Sequence, residues 1–83
     1  MKTYTLVWVS DDAEFAIEMG HYNSLNEAQA AQPDALSGLA ERGGNAESGF
    51  WEITVWRGDK IVESYGLENI GGNKKWMSIP VSN

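Results

Sequence analysis

Residues 3–19, TYTLVWVSDDAEFAIEM, decide the fold. The first seven are dominated by β-branched and aromatic side chains, which suit a pleated, packed surface. Tyr4, Leu6 and Trp8 point one way, and Thr5, Val7 and Val9 the other. Both sides are apolar enough to place this strand inside a sheet. Ser10, Asp11 and Asp12 supply turn chemistry, because their short side chains hydrogen-bond the local backbone. Residues 13–19 then alternate, with Ala13, Phe15, Ile17 and Met19 on one side and Glu14, Ala16 and Glu18 on the other. That is the pattern of a half-buried return strand, so the stretch predicts a hairpin.

A second hairpin is written into residues 50–65, FWEITVWRGDKIVESY. Trp51, Ile53 and Val55 share one face, and Glu52, Thr54 and Trp56 the other. Gly58 supplies the positive φ that a tight reversal needs. Between the hairpins, Ser24-Leu25-Asn26-Glu27 forms a capping box and predicts a helix over 25–42, stopped at Gly43-Gly44. Pro33 falls inside it and either kinks one helix or opens a second short one at its first turn, with a break near Gln32 the favoured reading. Residues 43–49 and 66–73 read as a polar loop and an irregular stretch. Residues 75–81 alternate again and predict a fifth strand, confined to an edge by Pro80. The fold class is therefore α+β: one antiparallel sheet of four to five strands in ββαββ(β) order, with the helix on one face. Leu25, Ala28, Leu36 and Leu39 are expected to pack on some of Phe15, Ile17, Trp51, Ile53 and Val55.

With 83 residues the chain makes a single domain, 1–83. Such a chain buries only ~60% of the surface its unfolded form exposes. It has no Cys, so neither disulfides nor thiolate metal sites support it. Nine aromatic residues, four of them Trp, must carry much of the packing. No apolar run is long enough for a transmembrane helix, and the acid-interrupted start is not that of a signal peptide. A cytoplasmic location, in a bacterial host cell, is the expectation.

The charge is uneven. Residues 1–56 hold nine acids against two bases, a net of −7, whereas residues 57–83 hold four bases against three acids, a net of +1. An acidic surface repels phosphate backbones and steers the molecule towards basic partners. Direct nucleic-acid binding is therefore not expected.

Catalysis needs a group that attacks or moves protons, oriented by a second group. His21 is the one histidine, placed in a predicted loop, and no spacing couples it to Ser10, Ser24 or Ser48. Asp11, Asp12 and Glu14 lack the alternating, Gly-bearing pattern of a calcium loop. Glu18 and Glu52 align on the outer face, yet so small a domain has little room for the cleft that paired carboxylates require. Neither glycine pair precedes a helix as a phosphate cradle would. The sequence thus predicts no catalytic residues, no metal and no cofactor.

The aromatics point to binding instead. Trp8, Trp51, Trp56 and Trp76, with Tyr4, Tyr22 and Tyr65, exceed what a one-helix core encloses. Some of Tyr4, Trp8, Trp56 and Trp76 are expected on the far face of the sheet, where exposed aromatics mark interfaces. Taken together, the hairpin TYTLVWV-SDD-AEFAIEM, the capped helix SLNEAQAA and the hairpin FWEITVW-RGD-KIVESY resemble the small accessory proteins of bacteriophages and mobile elements, anti-CRISPR inhibitors among them. That resemblance implies stoichiometric binding to a nucleic-acid-processing complex such as a CRISPR-Cas effector. The predicted contact set is Asp11, Asp12, Glu14, Glu18 and Glu52 for steering, with Trp8 or Trp56 as the buried anchor. A nucleic-acid- or sugar-binding sheet face and a self-associating homodimer stand as the alternatives.

Overall fold

The computed structural model describes residues 1–45 and 47–81. Five strands form one antiparallel sheet: β1 (Lys2–Ser10), β2 (Ala16–Tyr22), β3 (Gly49–Arg57), β4 (Lys60–Ile70) and β5 (Asn73–Ile79). The spatial order is β2-β1-β3-β4-β5. One helix, α1 (Leu25–Ser37), joins the hairpins and lies against β1, β2 and β3. The α+β class and the strand–helix order are those the sequence predicts. β1 lies in the interior of the sheet, flanked by β2 and β3, as its two apolar sides require.

Helix α1 starts where the capping box puts it. The Ser24 hydroxyl accepts the Glu27 amide at 3.2 Å, and the Glu27 carboxylate accepts the Asn23 amide, one residue ahead of the box partner. Two expectations for this segment fail. The helix runs unbroken through Pro33 and ends at Ser37. Pro33 is on the exposed face, so its ring points to solvent and the backbone donor it lacks is not missed in the core. Beyond Gly38 the chain tightens into a 3₁₀ turn, Ala40–Arg42, closed by Gly43 at φ 91°. Leu39, between the two, is folded down onto the core and buried.

β2 begins three residues later than the alternation predicts and continues through Tyr22. The Ser10–Phe15 stretch is consumed by a turn. There Asp12 accepts the Ser10 hydroxyl at 2.6 Å and the Glu14 amide at 3.0 Å, and Ala13 sits at φ 58°. A bulge between Leu6 and Val7 leaves Met19 unpaired, so Ile17 and Met19 both reach the core while Phe15 stays half open, its ring tilted on Trp8 at 5.5 Å. Residues 66–73, expected to be irregular, are the end of β4, a tight turn and the start of β5. Gly71 and Gly72 both have positive φ, 59° and 86°, which closes Ile70 onto Asn73. The predicted loop at 43–49 includes Ala46, which lies outside the described residues.

The core is the sheet face under α1. Leu6, Trp8, Trp51 and Ile53 from the sheet meet Ala28 from the helix and Leu39 after it. Tyr4, Tyr65, Leu67 and Trp76 pack at its margin. The helix side therefore takes three of the four tryptophans.

Candidate functional site

No described element covers the other face of the sheet. Strand register lays its side chains out in rows. One row runs Glu18, Val7, Glu52, Gly66, Met77 from β2 to β5; the next runs His21, Thr5, Thr54, Ser64, Ile79. Phe50 beside Val9 flanks the first row, and Trp56 between Thr3 and Ile61 flanks the second. An antiparallel sheet open to water ordinarily shows polar residues there. This one shows Phe50 (41% exposed), Met77 (44%) and Ile61 (37%), with Trp56 and Ile79 half-buried beside them.

Over β3, β4 and β5 the open face deepens into a groove of about 1080 Å³. Its floor carries Thr54 and Ser64. Trp56, Ile61 and Val62 stand on one side, and Ile79, Pro80 and Val81 on the other. The Trp56 indole N–H donates to Thr54 Oγ1 at 3.1 Å, which lays the ring over the strand and fixes it as a wall. Glu52 borders the groove, and among the described residues it has no hydrogen-bond or ion-pair partner for its side chain. Its burial pushes its carboxyl pKa above the ordinary value.

The residues singled out in the sequence are thus divided. Glu18, Glu52 and Trp56 come together on the open face. Trp8 does not: it is 2% exposed beneath the helix and offers no contact surface. Its position follows from the face it shares with Leu6, which the helix covers. Asp11, Asp12 and Glu14 stand at the end of the sheet, exposed, in the β1–β2 turn. The hydrogen bonds from Ser10 and Glu14 hold the Asp12 carboxyl below its usual range, so Asp12 serves that turn. His21, predicted in a loop, is on β2. It shares a 3.0 Å hydrogen bond with Thr5 through Nδ1 and lies 3.2 Å from Glu18 through Nε2.

The sequence reading missed Ile61, Val62 and Ile79 as groove walls. Their signal is present in the alternation of KIVESY and KWMSIPV; which side of that alternation stays open is set by the face of the sheet that the helix takes. Among the described residues no three of His, Asp and Glu gather closely enough to hold a metal ion, and no helix is long and apolar enough to cross a membrane. Compared with family models, curated proteins and solved structures, the chain matches none.

Proposed function

We propose that this chain is a non-enzymatic protein-binding domain that docks its open sheet face onto a basic, partly apolar surface of a partner. The observation that carries this reading is the composition of that face. Phe50, Trp56, Ile61, Met77 and Ile79 supply apolar area that water would otherwise cover, and Glu18 and Glu52 interrupt it with negative charge. Asp11, Asp12 and Glu14 at the end of the sheet extend the negative field and raise the encounter rate with a cationic partner. Trp56 is the anchor of the pair considered from sequence, since Trp8 is enclosed.

Basic grooves interleaved with aromatic side chains are typical of proteins that handle single-stranded nucleic acid. Inhibition of such a complex by occupying its channel, in the manner of an anti-CRISPR protein within a bacterial cytoplasm, is the biological role this chemistry fits.

The test is a tagged capture from nuclease-treated bacterial lysate with three proteins: the native chain, the open-face double variant Glu18→Lys/Met77→Lys, and the helix-side variant Glu41→Lys. The expected result is a stoichiometric partner retained by the native chain and Glu41→Lys and lost from the double variant. Capture indifferent to the open face, or none at low salt, overturns the reading. A doubled mass in light scattering that the double variant abolishes would make the same face a self-interface instead.

A further inference from the structure

The groove on the open face combines three features that jointly specify a ligand chemistry. One is a carboxylate, Glu52, bordering the groove with no counter-ion among the described residues. The second is the Trp56 indole, which lines the groove and is held in place by its own hydrogen bond to Thr54. The third is a floor of two hydroxyls, Thr54 and Ser64, which are cross-strand partners. Glu52, Thr54 and Trp56 are successive residues of one face of β3, so Glu52 and Trp56 flank Thr54 at about 6–7 Å of strand on either side. A flat cation stacked on the indole face that this hydrogen bond leaves free has the Glu52 carboxylate as its neighbour along the strand.

We infer that this groove is a binding site for a basic side chain, arginine above all, presented by the docking partner. The guanidinium donates to Glu52 and stacks on Trp56, its methylene stem lies along Ile61 and Ile79, and the hydroxyls of Thr54 and Ser64 accept the remaining N–H groups. Asp59 in the β3–β4 turn and Lys60 at the start of β4 are the other charged residues of the groove, one of each sign, both exposed and both beyond Trp56. Lys60 is paired across from Arg57, so it lies at the far end of the groove from Glu52 and does not neutralise it. The raised proton affinity of Glu52 is the mark of a desolvated carboxylate that a cation would satisfy.

The inference rests on the docking reading but is tested without any partner. The probe is Nα-acetyl-L-arginine methylamide, titrated into the full chain while the Trp56 indole N–H resonance is followed by NMR, assigned by its loss in Trp56→Leu. Saturable displacement of that resonance is expected with the arginine probe and not with the matching citrulline probe, which keeps the shape and lacks the charge. Glu52→Gln should weaken binding by about tenfold or more, as loss of a charge-assisted hydrogen bond implies. Trp56→Leu, followed through the amide resonance of Thr54, should weaken it by about threefold. Glu41→Gln removes the same charge on the helix side and should leave the affinity unchanged, which separates a site from a general field. No saturation with the arginine probe, or equal binding of citrulline, overturns the inference. Partner capture that depends on the open face yet is indifferent to Glu52→Gln overturns it too, while the docking reading survives. Arginine binding without any captured partner sinks the docking reading and leaves the groove.

Discussion

The two faces of this sheet are built from the same residue types and behave as opposites. On the helix side, Leu6, Trp8, Ile53 and Leu39 are closed off almost completely, and their apolar area is converted into stability. On the other side, Phe50, Ile61 and Met77 stay exposed and Trp56 is half-buried, so apolar area remains at the surface. The difference lies in which face is covered. Helix α1 packs on one face, against β1, β2 and β3, and no described element lies over the other. One face is spent on folding; the other is left available for recognition.

The comparison breaks most directly if truncation costs the same on both sides. Ile53→Ala removes a fully enclosed side chain from the centre of the core and should cost about 2–5 kcal/mol. Set against the ~5–15 kcal/mol that holds a typical domain together, this is enough to shift a urea midpoint strongly or to unfold the chain. Met77→Ala on the open face should cost within about 0.5 kcal/mol. Urea denaturation of the two variants decides it, and similar midpoints would mean that the open face is not open.

A smaller effect probes how tightly the covered side is packed at its edge. Gly49 begins β3 where a Cβ would overlap the Trp8 ring and the Val9 carbonyl. The Trp8 ring is hemmed in by Phe15 and the core cluster and has nowhere to retreat. Gly49→Ala should therefore destabilise by about 1–3 kcal/mol, the ordinary cost of overpacking. Gly43→Ala makes a useful contrast, since its Cβ would enter open space and the strain there comes from φ alone. Thermal unfolding of the pair separates crowding from backbone conformation.

How much of this contrast was legible beforehand depends on the kind of signal. β1 and β3 were readable because β-branched and aromatic residues at period two leave no competing helical reading. The helix start was readable because a capping box is a local device, complete within four residues. Pro33 misled because its effect on a helix depends on which side of the helix it faces, and that is set by packing. The β2 register misled because the Asp12 side chain organises a turn that absorbs Ala13 to Phe15, after which the bulge at Met19 shifts the alternation. At Gly71-Gly72 the signal was present and misread: two consecutive glycines between apolar strands are as good a tight-turn mark as a loop mark. The candidate face was half legible. Glu18, Glu52 and Trp56 follow from alternation alone, whereas the burial of Trp8 and the groove walls on β4 and β5 depend on which face the helix covers and on the strand register.

The smallest effect sharpens the comparison on the open side itself. Glu52 is the half-buried carboxyl of that face, and its burial raises its pKa in the folded state above the ordinary value of 4.5. Between the unfolded and folded values the native protein holds the proton more tightly than the unfolded chain, so stability falls as pH rises through that window. The carboxyls of Asp12 and Glu63 act in the opposite sense. Both are held low, Asp12 by the Ser10 hydroxyl and Glu63 by Lys2 and then Tyr65, and their contribution is lost as pH falls through their folded values. Because the two senses overlap in the raw pH profile, the informative quantity is the difference between Glu52→Gln and the native chain. The variant should gain stability relative to the native chain as pH rises just above the ordinary carboxylate range and stay level at higher pH. The gain should be smaller than either effect above, since the carboxyl is still partly open to water. Urea midpoints on both sides of the window measure it, and a difference that stays flat with pH would show that Glu52 is as well solvated as any surface acid. Repeating the series with the arginine probe carries the argument one step further. A cation seated on Glu52 removes the penalty of burying its charge, so the pH dependence of the difference should shrink as the probe concentration rises.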